Sequence, residues 1–306
     1  MMQIYYKSAH DKEFQVLNEP RDGCWIHFDE ATQEDLEKLA HFTGLDTVDL
    51  LDCLDKHEVP RLERLKNAVL VITRPPSDAE IGLYTSTLTM ILCPHYFITI
   101  SPQKSPLIRN YLGQMSRLST HQKSKLLIYL LLKITQDFSL QIKRVRYNVI
   151  KQEREIANVK SDEIIILTKN EDILNQYLST LVPMRGVLEA ITSGKFFDLH
   201  EKDQDLIEDL LNASRQSEIL CNVNLKSIRS LRNSFQIIFT NNVTKTIKLL
   251  TALTIIFSIP TVIASIYGMN IKLPLSTSPH AFIYIVLFII VLFVLTYVYF
   301  QRKDWL

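Results

Sequence analysis

Residues 249–270 read LLTALTIIFSIPTVIASIYGMN, and the first 19 of them, Leu249 to Tyr267, carry no formal charge. A second run, AFIYIVLFIIVLFVLTYVYF, fills residues 281–300. A helix needs roughly 20 apolar residues to cross a hydrocarbon core about 30 Å thick, so each run is long enough to span a bilayer. The rest of the chain sets these runs apart. It has 306 residues, 34 Lys and Arg against 33 Asp and Glu, and a formal charge of +1. Yet 63 of the 67 charges precede Leu249, and only Lys272, Arg302, Lys303 and Asp304 follow it. No soluble core requires such a segregation, which predicts a soluble body fused to a two-span hairpin in a lipid bilayer. The near-zero net charge argues against a nucleic-acid partner, and 47% hydrophobic residues exclude a disordered chain. Lys245 and Lys248 flank the first span and Arg302 and Lys303 follow the second, against Lys272 alone in the connecting loop. The positive-inside rule therefore places both termini in the cytosol and the spans in the cell membrane, with Trp305, Tyr297 and Tyr299 at the inner interface.

The two spans differ in their hydroxyls. Thr244, Thr251, Ser258 and Ser265 repeat every seven residues, with Thr254 and Thr261 between them, so one helical face is hydroxylated from end to end. The second span has Thr296 and a few tyrosines. One or two hydroxyls serve close packing between membrane helices. Six on one stripe would face lipid unfavourably, and a single hairpin cannot enclose water, so several copies are expected to assemble with their first spans around a pore.

Upstream, the breakers divide the body. Seven of the eleven prolines precede Gly113, whereas 114–182 and 195–259 contain neither Gly nor Pro. Residues 1–113 read as a cytosolic α/β domain, with strands at Trp25–Phe28, Ala68–Thr73, Leu83–Leu92 and Tyr96–Ile100. Helices are expected at Leu36–Phe42, opened by a Thr32 cap, and at Asp46–Leu54. Residues 114–248 read as helical. Leu126–Ile134 is too short a run to span a membrane and is expected to pack on the sheet. Leu225, Ile228, Leu231, Phe235 and Ile238 form an apolar seam in a helix that, unbroken from about Asp203 to Tyr267, would be about 100 Å long. Cys24, Cys53, Cys93 and Cys221 are scattered without a C-x-x-C pair and read as buried, reduced thiols. The N-terminus, MMQIYYKSAHDKE, lacks the apolar stretch of a signal peptide.

The first span closes on Ile263-Ala264-Ser265-Ile266-Tyr267-Gly268-Met269-Asn270, shortly before the second span, and the chain ends in Arg302-Lys303-Asp304-Trp305-Leu306. This arrangement resembles the CorA family of magnesium transporters, whose signature is Tyr-Gly-Met-Asn directly after the first of two C-terminal spans. Glu58-Val59-Pro60-Arg61-Leu62-Glu63 is similar to the family's cytosolic domain, so the resemblance runs from about residue 50 to the end. It implies an α/β N-terminal domain, a long stalk helix continuing into the pore-lining span 249–267, an extracellular signature loop 268–280, an outer span 281–300 and a cytosolic basic tail 301–306, in a funnel-shaped homopentamer.

Magnesium gives up its water reluctantly, so a selective mouth can recognise the hydrated ion through carbonyl and amide oxygens. By resemblance, Asn270 side chains and Gly268 carbonyls bind the first ion, with Tyr267 and Met269 shaping the loop. A helix C-cap is the plainer role for Gly268 and Asn270. Below them Ser265, Thr261, Ser258, Thr254 and Thr251 bond the water shell. Ile247 and Leu250 fall where the family has a hydrophobic constriction and Thr244 where it has a polar ring. The family also senses cytosolic magnesium at carboxylates between subunits; Asp209 corresponds to one stalk acid, within a cluster of Asp203, Asp205, Glu208 and Asp209, and Asp78 and Glu80 are candidate partners. Two departures stand out: the loop Ile271–His280 has no acid, and Asn233 occupies a stalk position that is acidic in some relatives. No G-x-x-x-x-G-K-[ST] loop supports ATP coupling. The competing expectations are a cobalt, nickel or zinc transporter of the same architecture, though no thiol lies in either span, and a non-conducting coiled-coil scaffold. An enzyme would have to use His57 with Asp52, Cys53, Asp55 and Glu58, which lack a metal-ligand spacing.

Overall fold

The computed structural model describes residues 1–80, 82–115, 118–154, 161–196, 201–271, 273–274 and 279–306. They form two compact units, Met1–Leu231 and Arg232–Leu306.

Among the described residues the first unit holds nine strands: β1 (Met2–Tyr6), β2 (Gln15–Leu17), β3 (Cys24–Asp29), β4 (Arg61–Leu65), β5 (Ala68–Thr73), β6 (Pro76–Glu80), β7 (Leu83–Thr85), β8 (Leu88–Leu92) and β9 (Tyr96–Ser101). Seven make one sheet in the order β2-β1-β3-β9-β8-β5-β4, and β6 and β7 form a separate hairpin. Only the β3–β9 pairing is parallel within the large sheet. β5 is buried at all six positions, which is why it reads as the unbroken apolar run AVLVIT. One sheet face carries Ile26, Phe28, Leu70, Ile72, Ile91, Ile98 and Ile100 into a core with Leu36, Leu39 and Leu50 from the short helices α1 (Gln33–Thr43) and α2 (Thr47–Leu50).

α1 starts as its sequence demands. Thr32 Oγ1 accepts from the Asp35 N–H while the Asp35 carboxylate accepts from the Thr32 N–H at 3.1 Å, a reciprocal cap, and Gly44 at φ 70° ends the helix. A 3-10 turn, Leu51–Leu54, continues α2. The segment read as one strand over Leu83–Leu92 is two. Thr85 closes the β6–β7 hairpin and Leu88 opens β8 opposite Thr73, with the Ser86 N–H donated to the Pro75 carbonyl at 3.1 Å between them. β4 was not evident from sequence because RLERL is a charged edge strand, which shields the sheet from further pairing.

After the six-residue α3 (Leu107–Leu112) come α4 (Lys123–Arg154), α5 (Ser161–Thr192) and α6 (Glu201–Tyr267). Leu126, Leu127, Leu130, Leu131 and Ile134 are fully buried, as expected for a helix packed on a sheet. Phe138 of α4 meets Tyr177 of α5 edge-on at 5.2 Å, and Ser139 bonds Ser217 of α6 at 3.0 Å. Arg185–Glu218 and Arg229–Glu171 pairs, each at 3.0 Å, link α5 to α6. Leu225, Ile228, Leu231 and Phe235 are buried, so the apolar seam is real, and α6 continues unbroken for 67 residues. The second unit consists of the end of α6 and α7 (Ala281–Arg302).

Behind the sheet core, Trp25 Nε1 donates to Thr99 Oγ1 at 2.9 Å and His27 Nδ1 lies 2.9 Å from the same oxygen. Burial holds the His27 imidazole down at about 4, against an ordinary value of 6.5. The unfolded chain takes up this proton near pH 6.5 and the folded chain only near pH 4, so the stability is complete above pH 6.5 and drains as the pH falls. At about 1.4 kcal/mol per pH unit the loss reaches about 3 kcal/mol. In full-length protein, the unfolding midpoint followed by tryptophan fluorescence is expected to fall between pH 6.5 and 4, and His27→Gln to flatten that dependence; an identical profile in the variant would remove His27 as its cause.

Candidate ion pathway

With no Gly or Pro from Lys195 to Ile259, nothing interrupts α6 before Pro260, which lies inside the helix and leaves the Ile256 carbonyl without its usual donor. Ala252 and Ile256 are 0% and 2% exposed, packed with Phe300 of α7 and the half-buried Trp305. The Trp305 ring lies 5.3 Å from that of Phe300, and the Trp305 backbone N–H donates to the Phe300 carbonyl at 3.1 Å, so the tail folds back over the end of α7. At about 100° per residue, Ala252, Ile256 and the half-buried Ile259, Ile263 and Tyr267 share one side of α6. Thr244, Ile247, Leu250, Thr251, Thr254, Ser258, Thr261 and Ser265 fall within an arc of about 120° on the other side, and all eight are exposed. The helix partner within the chain thus covers the face opposite the hydroxyls.

Four of those hydroxyls turn back on their own helix. Thr244 Oγ1 donates to the Thr240 carbonyl at 2.8 Å, Thr254 to Leu250 at 2.8 Å, Ser258 to Thr254 at 2.7 Å and Thr261 to Phe257 at 2.8 Å. Each has used its one proton and presents only lone pairs outward. The waters around a cation point their hydrogens outward, and such a stripe accepts them. Ile247 and Leu250 are 58% and 65% exposed on the same face, about one and two turns beyond Thr244.

At the end of α6 the Gly268 N–H bonds the Ala264 carbonyl at 2.9 Å and the Met269 N–H the Ile266 carbonyl at 3.2 Å. Gly268 is not a left-handed cap: unlike Gly44, it has no positive φ. A Cβ there would lie 3.3 Å from the Ala264 carbonyl oxygen and 3.4 Å from that of Ser265, so the missing side chain keeps the last turn's carbonyls uncrowded. Tyr267 Oη donates to the Pro274 carbonyl at 3.4 Å, tying the helix end to the loop. Met269 and Asn270 are exposed. Lys272 lies outside the described residues.

The carboxylates expected to sense magnesium are not gathered within one chain. Asp205 and Asp209 are exposed on α6, and Asp209 lines a recess of about 450 Å³ with Lys143 and Gln136. Asp78, exposed on β6, lines a different recess of about 570 Å³ with Asp137, Arg109 and Lys104. The side chain of Glu80 lies outside the described residues. Among the described residues no three His, Cys, Asp or Glu side chains come together to hold a metal ion. The acids near His57 are engaged by Arg61, which bonds Asp52 at 2.7 Å, Glu63 at 3.3 Å and Glu58.

The seat formed by Ala252, Ile256 and Phe300 was not evident from the sequence. Its signal is the small Ala252 among large neighbours, which is ambiguous without the partner helix.

An α/β body is followed by a long helix whose end is apolar and long enough to cross a membrane and by a second such helix, the plan of a two-span membrane protein. The model of the family described as "CorA-like Mg2+ transporter protein" matches residues 21–302, and the chain belongs to that family. It is an ion transporter and not an enzyme. The cobalt/magnesium transport protein CorA of Methanocaldococcus jannaschii is 26% identical over 302 residues, covering 92% of this chain and 91% of that one. The complete structure of the CorA magnesium transporter from the same organism matches with a TM-score of 0.84 at 23% identity, over 100% of this chain and 99% of that one. The cytoplasmic domain of ZntB from Vibrio parahaemolyticus matches with a TM-score of 0.63 at 10% identity, over 78% and 98% of the two chains. These structural likenesses agree on the fold.

The four native cysteines are buried, and burial pushes the Cys53 and Cys93 thiols up to about 11 and Cys221 up to about 12, so they form a quiet background for labelling. Cysteines placed singly at Thr254, Ser258 or Thr261 are expected to react with a water-borne cationic thiosulfonate and to lose ion uptake in liposomes; cysteines at Ala252 or Ile256 are not. Equal reaction on both faces would contradict a wet hydroxyl face.

Proposed function

We propose that this protein is a passive, membrane-potential-driven channel for hydrated Mg2+, formed by several copies of the chain with the hydroxyl face of α6 inward. The observation that carries this is the position of that face: exposed along its length, and turned away from α7. A polar stripe left toward lipid is unfavourable, and turning it toward an axis shared with other copies removes the cost. Resemblance to the family makes the assembly a pentamer, with both termini in the cytosol.

In this pathway Asn270 side chains and Gly268 carbonyls receive the hydrated ion, while the Tyr267 tie to Pro274 and the neighbouring Met269 hold the mouth's shape. Ser265, Thr261, Ser258, Thr254 and Thr251 then accept from its water shell. None of them carries charge, so the ion keeps its water and does not become trapped. Rings of Ile247 and Leu250 close the path by dewetting, above a polar ring of Thr244. About 2.3 kcal/mol per charge per 100 mV gives about 4.6 kcal/mol of inward drive for a divalent ion, so no nucleotide is needed.

Cytosolic Mg2+ bound between subunits regulates opening, with Asp209 and Asp205 on α6 and Asp78 and Glu80 on the hairpin as its ligands. Such an ion offsets acid–acid repulsion between neighbouring chains, and its loss loosens them. Cobalt is the second candidate cargo, because the Methanocaldococcus jannaschii relative is named for both metals.

Asn270→Ala is expected to abolish Mg2+ uptake in liposomes with the oligomer intact by size-exclusion chromatography; normal uptake would refute the filter. Asp209→Lys is expected to leave the current insensitive to internal Mg2+. An unchanged Mg2+ response in that variant would exclude Asp209 from sensing.

A further inference from the structure

α6 and α7 close on one another where Phe300 packs with Ala252 and Ile256, and they leave a cleft between them toward the loop end of the hairpin. The cleft has a volume of about 440 Å³ and is lined by Ile263, Ile266, Tyr267, Tyr284, Ile285 and Phe288. Its side chains are hydrocarbon apart from two phenols. Tyr267 Oη is engaged with Pro274, and Tyr284 is 55% exposed. Water is a poor occupant, since a held water needs two to four polar partners. A second copy of the chain is the rival occupant, and the test below separates it from lipid. A single acyl chain is narrow enough, and both helices lie where acyl chains are the solvent.

We propose that this cleft is a binding site for one acyl chain of a phospholipid from the leaflet on the loop side of the membrane. The Tyr284 hydroxyl stands at headgroup level, as tyrosines do at membrane interfaces. The direction of entry rests on the pore reading above. Ile263 and Tyr267 lie on the side of α6 turned away from the hydroxyl arc, so the cleft lies off the ion path. The site touches the mouth by sequence. Ile266 and Tyr267 directly precede Gly268-Met269-Asn270, and the Ile266 carbonyl accepts from the Met269 N–H. A chain wedged against them supports the turn that presents Asn270, which makes uptake sensitive to lipid.

The test is native mass spectrometry of the full-length protein taken from phosphatidylcholine nanodiscs into detergent. Wild type is expected to retain phospholipid. Ile266→Trp and Ile285→Trp, which fill the cleft, should lose it. Ile266→Ala should keep it, as should Leu287→Trp, which sits at the same depth on the face of α7 turned away from α6. Wild type without retained lipid, or variants that all retain it alike, would overturn the site. So would break-up of the oligomer by Ile266→Trp without any lipid bound to wild type, since another copy would then fill the cleft. Asn270→Ala separates the two proposals: failure of the pore appears in uptake alone, and failure of this site in lipid retention alone.

Discussion

The packing of Phe300 with Ala252 and Ile256 sets the rotation of α6, and the character of the membrane unit follows from it. Between helices in a bilayer there is no hydrophobic drive, and close packing around small residues takes its place. Ala252 provides the small residue, and the Trp305 ring stacked on Phe300 extends the contact into the C-terminal tail. Once that side of α6 is taken, the hydroxyls can only lie opposite. Their bonds to carbonyls one turn back satisfy their protons within the helix, and the stripe remains a row of acceptors.

The soluble unit is built on a different balance. Its central strands are buried on both faces, and its long helices carry a shared apolar core. Ion pairs such as Arg185–Glu218, Arg215–Glu189 and Arg229–Glu171 join α5 to α6 at the surface. Each contributes at most about 1 kcal/mol, so they fix helix register more than they hold the fold. Asp205 and Asp209 take no part in these pairs, and their charges stay available on α6.

The fold was legible where local chemistry and burial agree. Thr32 and Asp35 announced the start of α1 because their cap needs nothing beyond four consecutive residues. β5 and β9 were evident because two-sided burial leaves an apolar run. β1, β2 and β4 were not: two flank or form one edge, and β4, the other edge, keeps its charges in water. Nor was the division of Leu83–Leu92, since pairing with β5 rather than propensity decides where β8 begins. For Gly268, residue type pointed to a left-handed cap, whereas the backbone uses the missing Cβ for room beside carbonyls.

By itself the sequence determined the two spans, the charge partition and the spacing of the hydroxyls, because apolar length and helical period are local properties that no neighbour changes. Only the tertiary structure decided which way those hydroxyls look. A helix has no front until another helix covers its back, and here Phe300 does so from some 45 residues along the chain. The same holds for the carboxylates of the first unit: their positions are written in the sequence, but Asp78 and Asp209 line separate recesses of one chain, a separation that depends on how β6 and α6 are carried by the fold.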